Sequence, residues 1–399
     1  MLNPTRRTLL AGAVALGATA ASAQEQPVEG KRGAPILGPH NAAREAQNPD
    51  ILRPPETDSG GIPNLHFAFA DAHVKMREGG WSREVTQREM PIATTIAGVN
   101  MRLTAGGVRE LHWHKPDEWA FMLAGKARIT AIDKDGHNFV DDVGPGDLWY
   151  FPSGIPHSIQ GLSPEGTEFL LAFTDGGFSE DSTFAITGMF AHFPPEVLAK
   201  NFMVDKKVFD DIPKHEKFIF PAAEPPSLEQ DRIQSPAGPL PRDRNMSFRL
   251  MQMQPTQAPG GTVRIADSSN FPISTNLAAA LIEVQPGHLR EIHWHPNADE
   301  WQYYISGKAR MTVFATQGAA RTFDYLAGDV GYVPLSMPHY VENTGSDPLR
   351  FLELFRAPHF EDISLAQWMA LTPRNLVTAH LNLDRQFLDN INKNKQPVV

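Results

Sequence analysis

The chain contains no cysteine among its 399 residues, which excludes disulfides, thiolate nucleophiles and cysteine-ligated zinc. Positive charge is also in short supply. Lys and Arg number 36 against 46 Asp and Glu, a formal charge of −10, and this argues against nucleic acid or anionic lipid as a partner. The one extended apolar run, Thr8 to Ala21, falls short of a transmembrane span. Turn formers are abundant instead. With 34 prolines, 31 glycines and 41% hydrophobic residues, the composition fits a globular, turn-rich β protein.

Arg6-Arg7 precedes that apolar run, which closes on Ala21-Ser22-Ala23. Such an arrangement predicts a twin-arginine signal peptide over residues 1–23, cut at an A-x-A site. Export of the folded protein to the periplasm or exterior is expected, with no membrane attachment after cleavage. A general secretory signal or an uncleaved anchor is the alternative. Residues 24–61 are polar and rich in Pro, Gly and Gln, and read as an extended arm.

The chain repeats itself. Arg109-Glu110-Leu111-His112-Trp113-His114 returns as Arg290-Glu291-Ile292-His293-Trp294-His295, followed by Glu118 in one copy and Glu300 in the other. Gly125-Lys126-Ala127-Arg128 returns as Gly307-Lys308-Ala309-Arg310, and Pro156-His157 as Pro338-His339. Even Pro91-Ile92-Ala93-Thr94 has its counterpart in Pro272-Ile273-Ser274-Thr275. Self-similarity at so long a period means two copies of one domain.

Short alternating segments between Gly, Pro and Asp, such as Lys126–Ile132 and Glu168–Phe173, predict an all-β sandwich or barrel in each copy. Short flanking helices are expected at 194–202 and 372–381. The boundaries drawn from this are 62–232 and 233–390. A proline-rich linker covers 221–245, and a polar tail at 391–399 is expected to fray.

Residues two apart on a strand face the same way. His112 and His114 therefore project together, as do His293 and His295, while Trp113 and Trp294 face away. Glu118 and Glu300 sit where the chain bends into the next strand, and His157 and His339 arrive from a later one. Three imidazoles and one carboxylate per half, without sulfur, suit a first-row divalent metal with open positions, although zinc also accepts such sets. Arg109 and Arg290, three residues before the first histidine, fall on the opposite face by the same periodicity. Spacing alone makes them surface residues. The two tryptophans are open to two readings, packing or electron transfer between the sites.

The constellation resembles the cupin superfamily in its double form. More narrowly, it resembles the bicupin oxalate decarboxylases over roughly residues 35–390. The specific parts are the two Arg-Glu-x-His-Trp-His segments, Ala320-Arg321-Thr322-Phe323-Asp324-Tyr325, Gly331-Tyr332-Val333-Pro334 and Phe178-Ser179-Glu180-Asp181-Ser182-Thr183-Phe184. That resemblance implies two tandem cupin (double-stranded β-helix, or jelly-roll) barrels and two manganese ions per chain. The implied metal ligands are His112, His114, Glu118 and His157, then His293, His295, Glu300 and His339. It turns Arg109 and Arg290 inward to bind the substrate carboxylate, with Thr183 beside them. The segment 176–184 is implied to be a lid carrying Glu180 as proton donor; without the family, Gly176-Gly177 before a polar run reads first as a solvated turn, with a hinged loop as the alternative. Dioxygen is implied as co-catalyst, and a homo-oligomer, trimer or hexamer, as the assembly.

The halves differ where chemistry would differ. Aligning Phe173 with Phe355 sets Asp362 opposite Glu180 and Leu365 opposite Thr183, so the second half lacks the lid motif. It carries Glu353 where the first has Leu171, a carboxylate in an apolar strand and a second-half catalytic candidate. Decarboxylation of oxalate at the first site is the expectation. The alternatives are an oxalate oxidase yielding peroxide, a metal-bearing bicupin without catalysis, and a dioxygenase acting on a larger substrate.

Overall fold

In the computed structural model residues 28–29, 32–52 and 54–399 are described. The twin-arginine segment and its cleavage site therefore lie outside the described residues. The described residues up to 56 form one unit and 57–399 another. The first holds a two-residue strand pair, Val28–Glu29 with Arg32–Gly33, and two single-turn helices, Ala42–Glu45 and Pro49–Leu52. It is thus not extended throughout. No helix of the described residues is long and apolar enough to cross a membrane.

Residues 57–399 contain two jelly-roll halves, each made of two facing antiparallel sheets. In the first half the larger sheet is built around Glu118–Gly125, Thr167–Phe173 and Ala97–Leu103; the smaller is built around Ala127–Ile132, His157–Gly161 and Gly107–Trp113. The second half repeats this with Glu300–Ser306, Leu349–Phe355 and Ala278–Val284, opposite Lys308–Phe314, His339–Asn343 and Leu289–Trp294. Short helices flank each half, Pro195–Phe202 in one and Arg374–Leu381 in the other.

The central strands of the larger sheets are buried on both faces, so their sequences read as nearly continuous apolar runs. Along Glu118–Gly125, Ala120 and Met122 point into their own half, while Trp119 and Phe121 enter a core shared with Trp301, Tyr303 and Tyr332 of the other. Trp301 packs so closely on Gly98 that a Cβ there would lie 2.3 Å from its ring. The joint is reciprocal. Asn276 donates to Asp117 at 2.9 Å and Thr95 to Asp299 at 3.3 Å, and residues 95 and 276 are themselves repeat equivalents. An isologous contact of this kind is what two-fold related partners produce.

The halves also exchange strands, which corrects the boundary drawn between 232 and 233. His66–Ala68 pairs with Asp329–Gly331 of the second half, and Ser247–Phe248 with Leu148–Trp149 of the first. Ile62 and Leu65 belong to the second half's core. The proline-rich linker follows the first half closely, with Arg128 bonded to the Pro226 carbonyl at 2.8 Å.

The polar tail does not fray. Leu289 and Val399 exchange backbone hydrogen bonds at 2.8 and 2.9 Å, Glu291 N–H donates to the Pro397 carbonyl, and Val398 is 0% exposed. The reason is a vacant sheet edge that its polar composition did not reveal. In the first half the same edge is filled by Ile219–Pro221, paired with Gly107–Arg109. Val398→Ala is therefore expected to destabilise the protein by about 2 kcal/mol, measured from guanidinium unfolding midpoints, whereas a frayed tail would leave the midpoint unchanged.

Candidate metal centres

Each half brings its four predicted ligands together. His112, His114, Glu118 and His157 converge in one half and His293, His295, Glu300 and His339 in the other, with their ligand atoms within 4.8 Å of one another in each group. All eight side chains are buried. Glu118 and Glu300 open their strands, as do His157 and His339, so four separate backbone positions fix each set.

Backbone carbonyls set the imidazole tautomers. Nδ1 of His112, His114 and His157 lies 2.7 Å from the carbonyls of Glu110, Pro116 and Ile155. His293, His295 and His339 make the same contact with Glu291, Glu361 and Met337 at 2.7, 2.7 and 3.0 Å. A carbonyl only accepts, so Nδ1 carries the proton and Nε2 presents a lone pair. Those lone pairs face a carboxylate: His114 and His157 Nε2 stand 3.1 and 3.3 Å from Glu118 Oε2. In the second half Nε2 of all three histidines and Glu300 Oε2 have no hydrogen-bond partner. Acceptors converging in a dry interior call for a cation, and the donor set fits a divalent metal.

Electrostatics point the same way. Burial, then the neighbouring Arg109, holds His112 well below the ordinary imidazole pKa; burial and Arg290 do the same to His293.

The support of the two carboxylates differs by a paired exchange of size. Trp149 Nε1–H donates to Glu118 Oε1 at 2.9 Å, and Trp149 pairs across the sheet with Ala120. In the second half Gln302 donates to Glu300 Oε1 at 2.8 Å and pairs with Gly331, where a Cβ would come within 2.4 Å of the glutamine. Large beside small in one half becomes medium beside nothing in the other. Neither supporting residue was anticipated from the sequence: Trp149 reaches Glu118 from a neighbouring strand, and Gln302, two residues along the same strand as Glu300, takes its role from the space left by Gly331 opposite.

Arg109 and Arg290 are buried at 1% exposure each, which overturns their placement by periodicity. Three residues separate Arg109 from His112, while their partners Ile159 and His157 are two apart; Arg290 and His293 repeat the mismatch against Val341 and His339. The extra residue is a β-bulge, and it reverses the facing of everything before it. Leu111 and Ile292 are left outside, 47% and 41% exposed.

The two arginines then meet different partners. Arg109 donates through Nε to Glu180 at 3.0 Å and through Nη2 to Thr183 Oγ1 at 3.1 Å, its guanidinium 4.4 Å from the Phe218 ring centroid. Both partners belong to residues 179–183, where Ser179 caps a single 3-10 turn over Glu180–Ser182. Arg290 donates to Glu353 at 3.1 Å and to Asp362 at 2.6 Å. Asp362 is bonded in turn by Lys395, whose amine burial and Arg290 push down to about 8. Burial raises the Glu353 carboxyl above its ordinary range, with Arg290 opposing. Trp113 stacks on Phe184 with ring centroids 5.6 Å apart, and Trp294 meets Trp368 edge-on at 5.7 Å.

The model of the cupin family, described as "Cupin", matches residues 67–210 and 249–388. Oxalate decarboxylase OxdC of Bacillus subtilis is 55% identical over 374 residues, covering 94% of this chain and 96% of that one. A probable oxalate decarboxylase of Arthroderma benhamiae is 39% identical, covering 94% and 93%. The solved structure of the Bacillus subtilis enzyme at pH 4.6 superposes with a TM-score of 0.91 over 94% of this chain and 97% of that one, at 55% identity. Another structure of that enzyme, from a study of its Mn(II) centres, matches with the same TM-score of 0.91 and 55% identity over 94% of this chain and 98% of that one.

Trp149→Phe leaves Glu118 Oε1 without its donor. The first site's metal affinity should fall roughly tenfold to a hundredfold, with the second site unchanged. Chelator competition on the loaded protein reads this as one weakened equivalent out of two, and two equal losses would contradict it.

Proposed function

This chain belongs to the bicupin oxalate decarboxylase family, and we propose that it converts oxalate to formate and carbon dioxide at the manganese centre of its first half. The supporting observation is the unequal hold on the two arginines. The carboxylate that pairs with Arg109 comes from one short segment, so a single displacement removes its counter-charge and opens the guanidinium to another carboxylate. Arg290 is bound by Glu353 in the body of the sheet and by Asp362 under Lys395. On this reading the second centre is structural, and Glu353 neutralises Arg290 rather than acting on substrate.

Manganese held by His112, His114, Glu118 and His157 would supply one-electron redox chemistry, with dioxygen as co-catalyst. The protein's own residues do the rest. Arg109 pairs with one carboxylate of oxalate in a buried setting, where a charge-assisted, two-pronged contact is strong and directional. That contact releases Glu180 from the guanidinium, so its carboxyl can carry a proton. Residues 176–184, closed over the site, exclude bulk water while the C–C bond breaks. Glu180 delivers the proton to the carbon that loses CO2 and becomes formate. One proton is consumed, with no net change in electrons. Thr183, on Arg109, orients the fork.

Export by the twin-arginine route is part of the same proposal, since folding before export would let manganese load without competition from tighter-binding copper and zinc. Assembly into a trimer or hexamer is supported by apolar side chains exposed on the flanking helices, among them Phe202 and Leu381 at 49% and 54%.

Manganese-loaded protein given oxalate at mildly acidic pH should yield close to one formate per oxalate and little peroxide. Glu180→Ala should lose at least a hundredfold in formate production and divert turnover to CO2 and peroxide. Peroxide from the unmodified protein would instead make it an oxidase. No turnover with both centres full would make it a binding protein, and unchanged formate from Glu180→Ala would remove that residue from the mechanism.

A further inference from the structure

Behind residues 179–181 lies a cavity of about 110 Å³, bordered by the strands Val74–Arg77 and Gly80–Val85. Its size is roughly three to four water volumes, enough for an anion of a few heavy atoms. Lys75, Arg83 and Arg88 line it, against the carboxylates of Glu84 and Asp181. Ser82 pairs across the strands with Lys75, is 1% exposed, and its Oγ has no hydrogen-bond partner. A water could satisfy that hydroxyl. The three cations around the same space select a charged guest.

The cavity is coupled to the segment that covers Arg109. Lys75 Nζ donates to Asp181 at 2.5 Å and sits 3.9 Å from the centroid of Phe218, the ring that Arg109 also contacts. Glu84 accepts the Glu180 backbone N–H at 3.0 Å. Arg83 is anchored to Asn100 at 2.9 Å and contributes its charge in place. Lys75 and Arg88 have side chains that can turn; Arg88 is 71% exposed and its present partner is the adjacent Glu89. A guest that takes Lys75 takes it from Asp181.

We propose that this cavity binds a small dicarboxylate dianion through Lys75, Ser82 and Arg88, and that its arrival draws Lys75 off Asp181 and releases residues 179–183 from over Arg109. The dicarboxylate identity rests on the proposed function; the anion site itself does not.

Malonate is the probe, because it has no bond joining two carboxyl carbons and cannot undergo the proposed cleavage. Calorimetric titration should find one equivalent in Arg109→Ala and two in the unmodified protein. Ser82→Ala and Arg88→Gln should each weaken the remaining equivalent about tenfold, and Arg88 is exposed enough for its variant to fold normally. Hydrogen exchange at the Glu180 and Asp181 amides should accelerate at least fivefold with malonate, and Ser82→Ala should abolish the acceleration. An Arg109→Ala protein that binds nothing, or that binds equally well in both variants, overturns the site. Sulfate binding as tightly as malonate overturns the dicarboxylate preference, and binding without faster exchange overturns the release. Malonate bound here in a protein that makes no formate would defeat the proposed function and leave the anion site standing.

Discussion

One extra residue in each ligand-bearing strand governs the chemistry of both halves. Without the bulge between Arg109 and His112, strand alternation would send the guanidinium to the outer surface. With it, a full positive charge is buried beside three imidazoles and has to be compensated there. The same charge helps to keep His112 neutral. The cost of burying an unpaired cation then dictates that carboxylates stand nearby, and where they are attached decides what each half can do.

In the first half the compensating carboxylate comes from a short turn, Glu180, held by Ser179's cap, by Glu84 and by the pairing of Asp181 with Lys75. In the second it comes from the sheet and from a side chain fixed by the C-terminal strap. Phe218 and Pro397 hold equivalent places, each accepting from its arginine and from the glutamate N–H that follows. Phe218 returns a backbone N–H to Glu110 at 2.7 Å, while Pro397 has none to give and Glu291 Oε1 is left without a partner. Two halves with the same ligands thus differ in how firmly their arginine is closed off.

The shared core explains why the two halves travel as one unit. Each larger sheet buries one face in its own half and the other against its twin, and the exchanged strands 66–68 and 247–248 close the sheet edges that would otherwise be exposed. Trp119 and Trp301 fill the joint, and the reciprocal bonds to Asp117 and Asp299 tie it to the loops that carry the metal ligands. Packing between the halves therefore bears directly on ligand geometry.

The sequence by itself determined the duplication, the all-β character and the eight ligands, because repetition and two-residue spacing are local properties of a chain. It also showed, through the resemblance, that Arg109, Glu180 and Thr183 belong together. Spacing set Arg109 and Arg290 on the outer face against the resemblance, and only the tertiary structure supplies the reason they face inward, since a bulge is defined by the partner strand. Tertiary structure alone decided the fate of the tail, whose polar composition is silent about a free sheet edge waiting for Val398. The exchanged strands, the support of Glu118 by Trp149, and the partnership of Lys75, Ser82 and Asp181 were likewise out of reach. Each joins residues far apart in the chain, and only the folded backbone sets such distances.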